Sequence, residues 1–209
     1  SGWVAMPFFI LIGSILWAGS FKPRKLFLPT IVALALAATV FASSSTMRTR
    51  FQQGVDQLVV CSSAPNTISS MCVRVQLWRA SWLMFKENPL FGNGATNLFG
   101  PGLKVYVDKG IVSSFTIDGE FDEPHNDILY MMAGHGLLGL LAILLLYFAP
   151  AWIFLRRLAE GVPQTARVAA AMGLCVCAGF FAFGLTELMF RGMRTMSFYA
   201  LMIGWLMAL

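Results

Sequence analysis

The sequence predicts an all-α fold: a polytopic transmembrane helix bundle that carries one long, partly helical outer loop. Three observations predict it. The chain is 57% hydrophobic and only 12% charged, with a mean hydropathy of +0.71, whereas a soluble domain is nearer ~25% charged. Several apolar windows reach the roughly 20 residues that a helix needs to cross a bilayer. Basic residues gather in clusters between those windows. The net charge of +5 then reflects Lys and Arg kept on the cytoplasmic side of a membrane. It does not point to nucleic acid, and no nucleic-acid-binding motif is present.

Five spanning segments can be counted in order. Residues 1–42 hold two, about 3–20 and 26–42, separated by "KPRK" at Lys22–Lys25. Residues 43–124 form the loop. Residues 125–209 hold three more: about 126–154, 168–190 and 196 onward. The Lys22–Lys25 cluster and the Arg156, Arg157 and Arg167 cluster are two crossings apart, so they share the cytoplasmic side. The long loop is therefore outside, and so is the "RGMR" turn with Arg191 and Arg194. Two arginines on that face either snorkel from a helix end or are kept there to bind an anion. Spacing puts them on one arc with Glu187 if the fourth helix continues through them. The chain begins without Met and stops within an apolar run, which suggests a piece of a longer protein. Cys61 and Cys72 both lie in the outer loop, where an oxidising compartment would let them pair. Cys175 and Cys177 read as small buried hydrophobes.

The loop has its own organisation. From Met71 to Glu87, "MCVRVQLWRASWLMFKE" has helical periodicity, and Met71, Val75, Trp78, Trp82 and Phe85 form its apolar stripe. Two tryptophans suit a helix lying at the membrane interface. Arg79 reads as solvated, whereas Arg74 borders the stripe, where a cation can meet a phosphate. Pro89 ends this helix. "NPLFGNGATNLFGPG" (Asn88–Gly102) is glycine-rich, but it lacks the lysine ending and strand context of a nucleotide loop. In "DGEFDEPHND" five acids surround His125. The spacing fits no particular metal motif. A histidine at the mouth of a crossing helix, with a near-neutral intrinsic pKa, is suited to take a proton from an alcohol. His135 lies about 15 Å deeper along a continuous helix and reads as an interhelical hydrogen-bonding residue.

Taken in order, Arg74-x3-Trp78, "NPLFGNG", an acidic loop, and "HND" opening a helix that contains "GHGLLGL" resemble the O-antigen ligase and O-antigen polymerase superfamily, most closely its ligase branch. The resemblance covers Arg74 to about Phe148. It implies a multi-pass protein of the bacterial inner membrane, of which this chain is the C-terminal half, with an active site on the periplasmic face. It implies a glycosyltransferase without nucleotide, metal or other cofactor. The donor is a glycan on undecaprenyl pyrophosphate and the acceptor a sugar hydroxyl of lipid A–core, in lipopolysaccharide biosynthesis. Polymerase and protein O-oligosaccharyltransferase branches are alternatives. By the same resemblance Arg74 stabilises the pyrophosphate, His125 is the general base and Asn126 assists substrate binding. Arg191 and Arg194 would add phosphate contacts. A membrane transporter is the competing reading from another class, because glycine-interrupted helices and an intramembrane histidine suit a carrier. Polar residues gathered in the outer loop weigh against it.

Overall fold

The computed structural model describes residues 31–32, 34–35, 38–39, 41–63, 69–94, 99–119, 121–158 and 162–209. Every regular element among them is helical. The first expected span lies outside the described residues, and the second is described only in part. Among the described residues two helices, Asp127–Arg157 and Gln164–Gly184, are long and apolar enough to cross a membrane. Among the described residues, 44–143 form one compact unit and 144–209 belong to another.

In the first unit, helix α1 (Ser45–Ser63) starts where the Ser44 hydroxyl accepts the Met47 N–H at 3.3 Å. Helix α2 (Ser70–Glu87) is capped by Ser69, which accepts from the Cys72 N–H at 3.2 Å. Its end falls before Pro89, as the sequence predicts. Its buried face does not fall where predicted. Cys72, Val73, Gln76, Leu77, Ala80, Ser81 and Met84 point inward, a clean three-four spacing. The tryptophan stripe lies on the side, and Trp82 is 45% exposed. Small side chains let α1 approach here: Cys61 and Cys72 are both buried where the two helices pack. Helices α3 (Phe99–Asp108) and α4 (Phe115–Asp118) also pack on α2, and their Leu103, Tyr106, Phe115 and Thr116 are all buried. Gly110 ends α3 in a left-handed conformation, letting Ile111 donate back to the Tyr106 carbonyl at 2.9 Å.

Helix α5 (Asp127–Arg157) is not continuous. Gly136 has φ 62° and ψ −143°, so the helix breaks there. A second interruption comes from Pro150, which has no N–H to offer the Leu146 carbonyl. The second unit repairs this. The Tyr199 hydroxyl donates to the Leu146 carbonyl at 2.7 Å.

Tyr199 sits on helix α7 (Met193–Ala208), which packs on helix α6 (Gln164–Gly184). Rings of Tyr147, Phe180, Phe181, Phe190 and Tyr199 fill the space between these helices and the end of α5, at centroid distances of 4.7–5.6 Å. Gly173 lets α6 come within contact of the Phe154 ring, the small-residue packing expected of apolar helices. Arg157 donates to the Met207 carbonyl at 2.7 Å and satisfies the end of α7.

Candidate functional site

The site is built on the first unit, where α2, the loop after α4 and the start of α5 converge. Asn126 caps α5. Its side-chain oxygen accepts the Leu129 N–H at 3.0 Å, and its carbonyl accepts from Tyr130 at 2.9 Å. The residue expected to assist substrate binding therefore has its side-chain oxygen committed to starting a helix. Asp127 sits in the first turn and is 2% exposed, where the helix dipole favours a carboxylate.

His125 precedes the cap with φ 49°, and it is the non-glycine residue with a left-handed backbone among those described. Histidine enters this region more readily than most residues, though at some strain. Its Nδ1 lies 3.4 Å from Oε1 of Glu123, and about a quarter of each side chain stays exposed. Phe121 meets the imidazole edge-on at 6.4 Å between centroids. Pro124, fully buried, has its carbonyl taken by the indole N–H of Trp78 at 2.9 Å. Trp78 stands one turn after Arg74 along the same edge of α2. Arg74 is half-buried, and Arg79 is exposed as expected. The sequence reading named Trp78 in the apolar stripe and in the Arg74-x3-Trp78 motif, and Glu123 among the acids around His125, but it missed the contacts that tie both to the His125 turn. The signal for Glu123 was its place two residues before the histidine, on the side of the turn that the ring can reach.

The glycine loop does something other than bind phosphate. Asn93 N–H donates to the Ala133 carbonyl at 2.9 Å, Gly94 N–H to Gly134 at 3.0 Å, and Leu137 N–H to Pro89 at 2.7 Å. The loop thus enters the break in α5 and occupies backbone groups that the helix gives up at Gly136. A methyl group on Gly92 would stand 2.4 Å from the Gly134 carbonyl carbon, and one on Gly136 2.5 Å from that of Leu90. Both glycines are also left-handed. His135 is the residue before the break and is half-buried, so the expected placement deep in an unbroken helix is corrected.

Over residues 1–144 the chain matches a family profile described as O-antigen ligase. The chain belongs to the O-antigen ligase family. The match takes in the whole 44–143 unit, with Arg74, His125 and the break in α5. An uncharacterized protein of Haemophilus influenzae is 24% identical over 160 residues, which is 75% of this chain and 39% of that protein. The chain thus spans well under half the length of that relative. Arg191 and Arg194 belong to the second unit and are exposed. Helix α6 ends at Gly184, and residues 185–192 are irregular, so the helical arc expected for Glu187, Arg191 and Arg194 does not form. Its reason is local: Thr186 and Glu187 both donate back to the Phe183 carbonyl and close the helix. Cys61 and Cys72 carry free thiols rather than the expected bridge. Cys72 points its sulfur to the Gln57 carbonyl at 3.8 Å. Burial, then the hydrogen bond and charge of Cys72, push the Cys61 thiol up to about 11. Among the described residues no group of three His, Cys, Asp or Glu has the makings of a metal site.

Proposed function

We propose that the protein moves a glycan from a polyprenyl pyrophosphate to a sugar hydroxyl, as the ligase of lipopolysaccharide assembly, on the periplasmic face of the bacterial inner membrane. The observation that carries this reading is His125 in its left-handed turn, with Nδ1 facing Glu123 at 3.4 Å and the ring partly open to solvent. A carboxylate beside Nδ1 favours the tautomer protonated there, in which Nε2 carries the lone pair that takes a proton. It also stabilises the imidazolium that results.

The step balances without a cofactor. The acceptor oxygen attacks the anomeric carbon as Nε2 of His125 takes its proton. The bond from that carbon to the pyrophosphate oxygen breaks, and the electron pair leaves with polyprenyl pyrophosphate. Attack from the opposite face inverts the anomeric centre. Arg74 meets the charge that develops on the leaving phosphates with a fork suited to phosphate oxygens. Arg191 and Arg194 remain proposed as further phosphate contacts.

The break in α5 is a feature that a carrier also uses. Its Ala133 and Gly134 carbonyls and Leu137 N–H are already bonded to the glycine loop, so an ion or solute would have to displace the loop to reach them.

The test is transfer by the purified full-length protein, given polyprenyl-pyrophosphate-linked glycan and lipid A–core. His125→Ala should lower the rate by about 100- to 10,000-fold while donor binding persists. A near wild-type rate would remove His125 from the mechanism. Extension of a second lipid-linked glycan, with lipid A–core untouched, would favour the polymerase branch. Modification of a protein acceptor would favour the protein-glycosylating branch.

A further inference from the structure

We infer that Trp78 is a positioning residue for His125: its indole N–H, donated to the Pro124 carbonyl, fixes the peptide from which the left-handed turn at His125 begins. The inference rests on the proposed role of His125 as base, and it adds a residue that composition and spacing assigned only to an apolar stripe.

The argument starts from the torsion. The φ angle of His125 turns about the bond just after the Pro124–His125 peptide. A non-glycine residue at φ 49° relaxes to negative φ unless both neighbouring peptides are held. On the C-terminal side Asn126 is held by the cap of α5 through Leu129 and Tyr130. On the N-terminal side the Pro124 ring is fully buried, and the Trp78 bond to its carbonyl at 2.9 Å joins residues 46 apart in sequence. The two anchors leave the histidine backbone no room to rotate. Both also set the direction in which the imidazole leaves the chain, toward Glu123.

The spacing of Arg74 and Trp78 gains a physical meaning from this. Residues four apart lie on one edge of a helix, one turn from each other. A single rigid helix then carries the phosphate-facing cation and, one turn on, the group that fixes the base. Their separation is set by that helix rather than by the loop between α4 and α5. A misplacement of about 1 Å between reacting groups lowers rates by about 100-fold, so such a link has kinetic consequences.

The experiment uses the full-length protein with Trp78→Phe, which keeps an aromatic ring and removes the N–H. Expected is a fall in kcat of about 10- to 100-fold, with the donor KM changed less than about twofold. Benzothienylalanine at position 78 keeps the bicyclic shape and lacks the N–H, and it should act like Trp78→Phe even if the phenylalanine variant folds poorly. A second readout does not use activity. The change in Tm caused by His125→Gly should be more favourable with Trp at 78 than with Phe, because only the clamped loop keeps the strain that glycine relieves. Wild-type kcat in both position-78 variants, with His125→Ala inactive, overturns the inference and leaves the base reading standing. A raised donor KM at unchanged kcat also overturns it, making Trp78 a binding surface. If His125→Ala is active, the base reading falls, and an equal Tm change in both backgrounds then removes the clamp as well.

Discussion

Gly136→Ala is the sharpest perturbation of the seam between the glycine loop and α5. The new methyl group would lie 2.5 Å from the Leu90 carbonyl carbon, 2.6 Å from its oxygen and 2.7 Å from Gly92 N. All three atoms are backbone, so no side chain can swing aside. The variant has two ways out. If the loop stays, the alanine holds a φ and ψ that only glycine tolerates, at roughly 1–3 kcal/mol, and overlap adds about 1–3 kcal/mol. If the loop leaves, three hydrogen bonds at 2.7–3.0 Å are lost. Their Ala133 and Gly134 carbonyls then stand unpaired in an apolar helix, at about 1–3 kcal/mol per bond. The cheaper route governs, so the expected loss is about 2–6 kcal/mol. Thermal melting of the full-length protein in detergent measures it, and limited proteolysis reads which route was taken. Release of the loop unpairs the Asn93 and Gly94 backbone and opens it to cleavage, whereas strain alone lowers Tm with those bonds still protecting it. Gly54→Ala is the internal comparison. It lies mid-helix in α1 with nothing within 4 Å of the added methyl, so it should gain up to about 1 kcal/mol. If Gly136→Ala melts at or above wild type, the argued seam is wrong.

Tyr199→Phe should lose about 1–3 kcal/mol, because it leaves the Leu146 carbonyl unpaired; in a Pro150→Ala background, where the helix supplies its own N–H, the same change should be nearly neutral, and equal losses in both backgrounds would refute the pairing. Glu123→Gln should lower kcat more than donor KM, since the imidazolium loses a charge partner while phosphate contacts persist; unchanged kcat would detach Glu123 from the base. Cys61 and Cys72 should form one bond under mild oxidation, read by mass after digestion, and failure to cross-link would show that the thiols cannot reach each other. While reduced, Cys61 has a folded pKa raised from 9.0 to about 11. Its contribution to stability is therefore complete below pH 9 and lost as pH rises toward 11, and a Cys61→Ser variant should flatten that part of the stability profile. Arg191→Ala with Arg194→Ala should raise donor KM if both meet phosphate, and an unchanged KM would leave them as surface charges.

How much could be read from sequence depended on the range of the interactions involved. The helix at 70–87 was legible because periodicity is local, and its end because Pro89 excludes the helical conformation before it. Its buried face was not. Hydrophobicity favoured Trp78 and Trp82, whereas the inward positions include Gln76, Ala80 and Ser81, selected by how closely α1, α3 and α4 approach. Helix α3 runs through Gly100, Pro101 and Gly102, residues whose propensities argue for a loop. It forms because Leu103 and Tyr106 are buried, and tertiary packing overrides propensity. The histidine at the helix mouth was legible from its residue type and setting. Its partners Glu123 and Trp78 were not, since one depends on a left-handed turn and the other on a contact across 46 residues. The break at Gly136 had a visible trace in "GHG" and in the glycine loop, but only their interlocking gives either one a reason.

The two interruptions of α5 solve one problem by different means, and the difference bears on where chemistry can occur. An apolar helix cannot leave backbone groups unpaired in a lipid-like medium. At Pro150 a single carbonyl is freed, and a single hydroxyl from Tyr199 satisfies it. That repair changes little in the chain's path and belongs to packing. At Gly136 the backbone itself turns, several groups are released, and a whole loop is drawn in to meet them. The loop leads directly out of α2, the helix of Arg74 and Trp78, and the broken segment begins at the cap beside His125. The short piece of α5 from Asp127 to His135 is thus moored at both ends. At its start Trp78 of α2 holds it through Pro124. At its end Asn93 and Gly94, in the loop that leaves α2, hold it through Ala133 and Gly134. Loosening either mooring should displace His125 relative to Arg74, so a variant at Gly136, which touches neither residue, is expected to lower kcat as well as Tm. A Gly136→Ala protein that melts early yet transfers at the wild-type rate below its transition would show that the far mooring serves stability alone.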